Sequence, residues 1–282
     1  MSAAERTSDR AFLAVAALLF LGSAALTIRW CASMAAMGEM VMPGGWAMSM
    51  TWMRMPGQTW PGAAASFVAM WAAMTAAMML PSLVPMLRRY RCAAAVGPDR
   101  APAIAALPPS LAVGREMRLG ALTALVAAGY FCVWTVLGAA VFAVGAALAS
   151  LAMREPALAR LVPAAAGAVV ALAGGWQLCA WKERQLTRCR GTVPPGIPAL
   201  RADARTAWRH GLRLGLRCTS CCAGLTTTLL AVGVMDLRAM AAVAVATSVE
   251  RLAPGGERAA RVVGVLTVGA GLLTIGRSLV AG

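Results

Sequence analysis

Acidic residues and histidine are scarce in this 282-residue chain: Asp and Glu number 11 against 26 Lys and Arg, and His210 is the single histidine. One histidine argues against His-rich zinc or Cu(II) chemistry. We find no Ser-His-Asp arrangement and no HExxH motif. No Walker motif and no Gly-rich dinucleotide fingerprint occur either, which excludes a phosphate-driven pump. No catalytic motif points to an enzyme. Aromatic residues make up only 6%, and no stretch shows the roughly ten-residue alternation of a membrane barrel strand. Charged residues are 13% of the chain, against about 25% in soluble domains.

What is present is apolar. Hydrophobic residues reach 60%, above the roughly 45–50% of soluble proteins. Ala, Val, Leu and Gly dominate, which suits helices packed through small residues. The net charge of +15 is nearly all arginine, with Lys182 the only lysine. Those arginines sit in the gaps between apolar segments, as the positive-inside rule requires. The basic balance therefore reports topology and contact with the lipid bilayer, not a nucleic-acid partner. Eight cysteines in such a chain do not read as a disulfide framework, which belongs to short secreted domains.

The expected fold is all-α, a polytopic transmembrane helical bundle forming one integral membrane domain over 1–282. The first apolar run, Ala11–Ile28, rises about 27 Å as a helix, enough to cross most of the hydrocarbon. The polar tail of a cleavable signal does not follow it; Arg29-Trp30-Cys31 does, so it reads as an uncleaved span. A Met/Trp-rich outer loop over 29–62 comes next. The second span, Ala63–Leu87, contains Pro81 and Pro85 and ends at Arg88-Arg89-Tyr90-Arg91. A loop rich in proline (Pro98, Pro102, Pro108, Pro109) leads to Leu119–Met153, which is one long tilted helix or a helix with an interfacial turn. Leu161–Trp181, Cys218–Met235, a short Leu237–Val249 and Val262–Val280 make about seven spans, or six if the short one does not cross. Loops 88–118 and 182–217 hold most of the arginine, so they are expected in the cytoplasm, with the N-terminus, in a bacterial inner membrane.

Three sulfur constellations could carry chemistry. In Cys218-Thr-Ser-Cys221-Cys222 the spacing i, i+3, i+4 places three thiols on one helix face. Thiolates are soft ligands for Cu(I) or Zn(II), and three sulfurs fit Cu(I) better than a closed tetrahedral zinc site. Arg217 beside the first cysteine favours the thiolate. The plainer reading is cysteine as a small buried hydrophobe. Eight of the 18 methionines fall between residues 34 and 55: Met34, Met37, Met40, Met42, Met48, Met50, Met53 and Met55. Neutral thioethers there can recruit Cu(I); alternatively the segment is re-entrant, with Met and Trp as interfacial padding. In the second span, Met70, Met74 and Met78 form a stripe at four-residue spacing, either core or conduit, and Pro81 frees carbonyls near its end.

Other candidates are Cys92, Cys179 and Cys189, which could lie at the depth of Cys218. Glu250 beside Arg251 is either functional or an interfacial ion pair. Arg209, Arg213 and Arg217 form a stripe suited to lipid headgroups.

These residues resemble a bacterial family of predicted metal-binding integral membrane proteins, a domain of unknown function. Trp71, Met74, Ala77, Met78, Met79 and Pro81 are similar to its second-span signature. Gly129-Tyr130 with Trp134 is similar to its Gly-Tyr element, and Trp176-Gln177 through Lys182 to Cys189-Arg190 to its Gln…Lys…Cys-Arg element. Gly211–Gly256 is similar to its Cys-rich span, with Cys218, Cys221, Cys222, Met235, Met240 and Glu250. The likeness covers most of residues 60–275. Gln185 stands where the first Cys of the family's Cys-x-x-x-Cys pair is usual, leaving Cys179 as a substitute; Thr219-Ser220 and Ala223 replace the usual flanks. The resemblance implies a metal-linked membrane role without deciding a reaction.

The function expected is soft-metal handling, most simply of Cu(I), with zinc less suited: transport, delivery or homeostasis. The partner would be a periplasmic or cytoplasmic metal carrier, or a client metalloenzyme. The competing readings are a membrane thiol-redox enzyme using Cys218 and Cys221 and a metal-free assembly factor packed through Ala and Gly.

Overall fold

The computed structural model describes residues 3–95, 109–190 and 203–281. The expected proline loop lies largely outside them, as does the middle of the second basic stretch, including Arg201. The described residues form eight helices, α1 (Ala3–Ala36), α2 (Trp60–Ala95), α3 (Pro109–Arg154), α4 (Pro156–Leu178), α5 (Ala180–Arg190), α6 (Ala204–Val232), α7 (Leu237–Leu252) and α8 (Gly256–Ala281). A two-stranded antiparallel hairpin, β1 (Glu39–Val41) and β2 (Ala47–Ser49), joins α1 to α2. Six of the helices, all but α5 and α7, are long and apolar enough to cross a membrane. The chain is thus a multi-pass helical bundle, as its composition indicates.

The helices are longer than their apolar cores. Arg88–Arg91 and Arg115–Arg118, read above as loop, are the last turns of α2 and the first of α3. The largest difference is α6, which begins at Ala204 instead of Cys218. Asp203 caps it, its carboxylate accepting the Thr206 N–H at 2.8 Å. Arg205, Arg209, Arg213 and Arg217 are exposed, while Ala207, Gly211, Gly215 and Cys218 are buried. The arginines keep one face in a polar setting and the small residues bury the other, so one helix continues through the basic stretch and Cys218 sits at its middle. Leu119–Met153 likewise belongs to a single helix, α3.

Small residues set the helix pairing. A Cβ at Gly129 of α3 would sit 2.8 Å from the Trp208 carbonyl oxygen, and one at Gly215 of α6 2.9 Å from that of Tyr130. Only glycine permits that approach, which brings α3 and α6 together in parallel. Gly167 against Gly271 and Gly174 against Gly264 and Val268 pack α4 and α8 antiparallel. Gly224 of α6 meets Ala173 and Gln177 of α4, while Lys182 reaches Cys221, so α6 is antiparallel to α4 as well. Because α6 and α8 run the same way, α7 must carry the chain back between them. Its 16 residues rise only about 24 Å, which is why it falls short of a span by length yet serves as the return.

The N-terminal end of the bundle is tied by Arg88 to Asp9 at 2.6 Å and by Arg91 to Ser8 at 2.8 Å. At the opposite end the hairpin turns through Gly44 and Gly45, both with positive φ. The Trp46 indole N–H anchors it, donating to the Ala159 carbonyl at 2.8 Å.

Candidate metal centre

Four helices meet at the sulfur of Cys218. The small stripe of α6 places Cys218 and Cys222 inside the core, with 0% and 2% of their surfaces exposed. Cys222 Sγ lies 4.0 Å from Cys218 Sγ, as expected for one helical turn. From α2, Met79 brings its Sδ to 3.9 Å of Cys218 Sγ. From α3, the Tyr130 hydroxyl donates to Cys218 Sγ at 2.9 Å. From the end of α7, Arg251 Nη1 donates to the same sulfur at 3.1 Å and to Ser82 Oγ at 2.8 Å, with Nη2 3.6 Å from Met86 Sδ.

This arrangement is suited to a soft monovalent cation. Two thiolates and one thioether are soft donors that favour Cu(I). With Cu(I) between them the cluster carries one net negative charge, and the Arg251 guanidinium balances it, so the loaded centre is neutral in a medium that penalises net charge. The Tyr130 hydroxyl and Arg251 hold Cys218 from two further helices, the position that outer partners take at metal sites. Among the described residues, no three His, Cys, Asp or Glu side chains gather to hold a metal.

The three cysteines do not share one patch. Cys221 projects toward α5 and α8, packing with Leu186, Cys189 and Ala260. At 100° per residue, i+3 and i+4 straddle the face of i, and tertiary packing sends the two neighbours to different partners. The thiols nonetheless follow one another in a row: Cys222 adjoins Cys221 in the chain, and Cys221 shares a buried cluster with Cys189. Of the three outlying cysteines only Cys189 joins it. Cys92 is exposed, and the Cys179 thiol turns back to the Trp176 carbonyl at 2.9 Å, so Cys179 does not replace the residue at Gln185.

Met70, Met74 and Met78 are buried in the main core; it is Met79, one position off that stripe, that reaches Cys218. In the hairpin region Met48 and Met42 are packed under Trp46, Trp52 and Met53 against Ala149, Ala152 and Ala159. Met50, Met53 and Met55 are half-buried. Met48 is therefore a packing residue, not an exposed collector. Trp71 is buried, its indole N–H donating to the Trp134 carbonyl at 2.9 Å, while Pro81 faces outward on a continuous α2.

Glu250 pairs with Lys182, not Arg251. Its carboxylate accepts Lys182 Nζ at 2.8 Å and Gln177 Nε2 at 3.0 Å. Lys182 Nζ also donates to the Cys221 carbonyl at 2.6 Å. Burial works against the ammonium, but Cys221 and Glu250 outweigh it and raise the Lys182 pKa above the ordinary lysine value. Two positions escape sequence reasoning as neighbours of the thiols: Arg251, read only as a possible partner of Glu250, and Tyr130, seen only as part of a motif. A charged Glu-Arg pair at the end of an apolar helix was the available signal.

Fold and site together define a multi-pass helical protein with a buried thiol–thioether centre. The family model of PpoB2, copper chaperone, matches residues 68–274, and the chain belongs to that family. The matched family is metal-related, as the sequence resemblance implies, and its description names copper. No curated protein and no solved structure matches the chain. Met79, Tyr130, Cys189, Cys218, Cys222 and Arg251 all fall inside the matched region, and the Met-rich hairpin falls outside it.

Proposed function

We propose that this protein is a membrane-embedded Cu(I) chaperone that holds the ion at Met79, Cys218 and Cys222 and passes it to a metal carrier or a client metalloenzyme. The observation that carries the reading is the approach of Met79 Sδ and Cys222 Sγ to within 4.0 Å of Cys218 Sγ, beside a buried Arg251. Arginine counting places the N-terminal end of the bundle in the cytoplasm of a bacterial inner membrane. The hairpin with Met40, Met50, Met53 and Met55 then faces the periplasm, where its less buried thioethers can meet incoming or outgoing Cu(I).

A dithiol redox cycle is the weaker reading, because the nearest sulfurs to Cys218 are Cys222 and Met79, not Cys221. The deciding experiment is copper content and sulfur coordination of protein purified anaerobically in detergent. Wild type should retain Cu(I) in an all-sulfur environment, and a Cys218→Ser/Cys222→Ser variant should hold less copper and lose the three-sulfur coordination. Equal copper in the two proteins, or none in either, would defeat the proposal.

A further inference from the structure

A second pair of thiols closes the sulfur row on the side away from Met79. Cys221 lies on α6, immediately after the turn that carries Cys218, and Cys189 is next to last in α5. Both are buried, at 0% and 7% exposure, and they share a small apolar pocket with Leu186 and Ala260. The two belong to one buried cluster, and Cys221 adjoins Cys222 of the central trio in the chain. The Cys189 thiol is held toward α6 by donating to the Arg217 carbonyl at 3.2 Å. Lys182, itself wholly buried, donates to the Cys221 carbonyl from the same helix as Cys189. Its ion pair with Glu250 clamps α5, α6 and α7 around the pair. Cys189 meets Arg217, which precedes Cys218 on α6, so it is the sulfur of the row closest to the N-terminal end of the bundle.

We infer that Cys189 and Cys221 form a second Cu(I) site, a two-thiolate exchange station between the central trio and the N-terminal end. Two thiolates suffice for a soft monovalent ion, and Cys221, next to Cys222 in the chain, links the pair to the central trio. The move is ligand exchange without redox. A Cu–S bond to Cys221 forms as the bond to Cys218 breaks, the proton of the incoming thiol passes to the departing thiolate, and copper remains Cu(I).

The inference rests on the chaperone reading, and one titration separates the two. Anaerobic protein in detergent is loaded with Cu(I) in competition with bicinchoninate, and bound copper per chain is counted. Wild type should bind two ions, and Cys189→Ser and Cys221→Ser one each. Cys179→Ser, altering a thiol outside the row, should bind two. A Cys189→Ser protein that does not elute as the wild-type species is replaced by Cys189→Ala. A wild type that binds a single ion, unchanged in Cys189→Ser, would overturn the second site while leaving the chaperone reading intact. A wild type that binds none would end both.

Discussion

Arg251 at the end of α7 donates to the sulfur of Cys218 at the middle of α6, 3.1 Å away. This contact makes the short return helix part of the sulfur cluster and brings a positive charge to it. A buried guanidinium remains protonated, and the Cys218 sulfur accepts its N–H.

Removing either partner of Cys218 should therefore weaken copper binding without dismantling the trio. Arg251→Gln and Tyr130→Phe each should lower Cu(I) affinity by about 10–100-fold, the usual effect of losing an outer partner at a metal site. Competition with a coloured Cu(I) chelator measures this. An unchanged affinity in both variants would separate copper binding from Cys218.

The Lys182–Glu250 pair is structural in the first instance. Lys182→Met should destabilise the protein by about 3–5 kcal/mol, because it leaves the Glu250 carboxylate buried and unpaired. The double variant Lys182→Met/Glu250→Gln should recover much of that loss. Thermal unfolding in detergent reads both. Since the Lys182 pKa is raised on folding, its contribution is fully present below the ordinary lysine value and is lost only as pH rises through the folded value. The destabilisation in Lys182→Met should accordingly be constant across neutral pH.

Close helix approach gives a third expectation. A Cβ at Gly211 would meet the backbone carbonyl of Val126, which cannot swing aside. Gly211→Val should cost about 1–3 kcal/mol through overpacking and push α6 away from α3, carrying Cys218 away from Tyr130. The variant should lose thermal stability and copper affinity together. Gly114→Val, where nothing lies within 4 Å of an added Cβ, is the comparison and should change neither.

The hairpin methionines divide by burial. Met48→Leu conserves volume in a packed setting and should cost less than about 1.5 kcal/mol, with no effect on copper tolerance. A Met50→Leu/Met53→Leu/Met55→Leu variant should change the copper sensitivity of cells if these thioethers meet the ion. Equal sensitivity would leave the hairpin as packing alone.

Composition and arginine placement determined much of this protein in advance. A polytopic helical bundle was legible because long apolar runs and basic gaps are one-dimensional features, set by what a bilayer tolerates. The thiols and thioethers were legible as soft-metal donors because ligand preference belongs to residue type. Which of them meet was decided only by tertiary structure. Met78 and Met79 differ by 100° around α2, and only packing against α6 selects Met79. Cys221 and Cys222 are adjacent in the chain, yet α5 takes one and the core takes the other. Arg251 reaches Cys218 across 33 residues, because glycines in α3, α4, α6 and α8 fix how the helices run and leave α7 to return beside α6. Sequence periodicity describes one helix at a time; the thiol–thioether cluster is a property of four helices in contact.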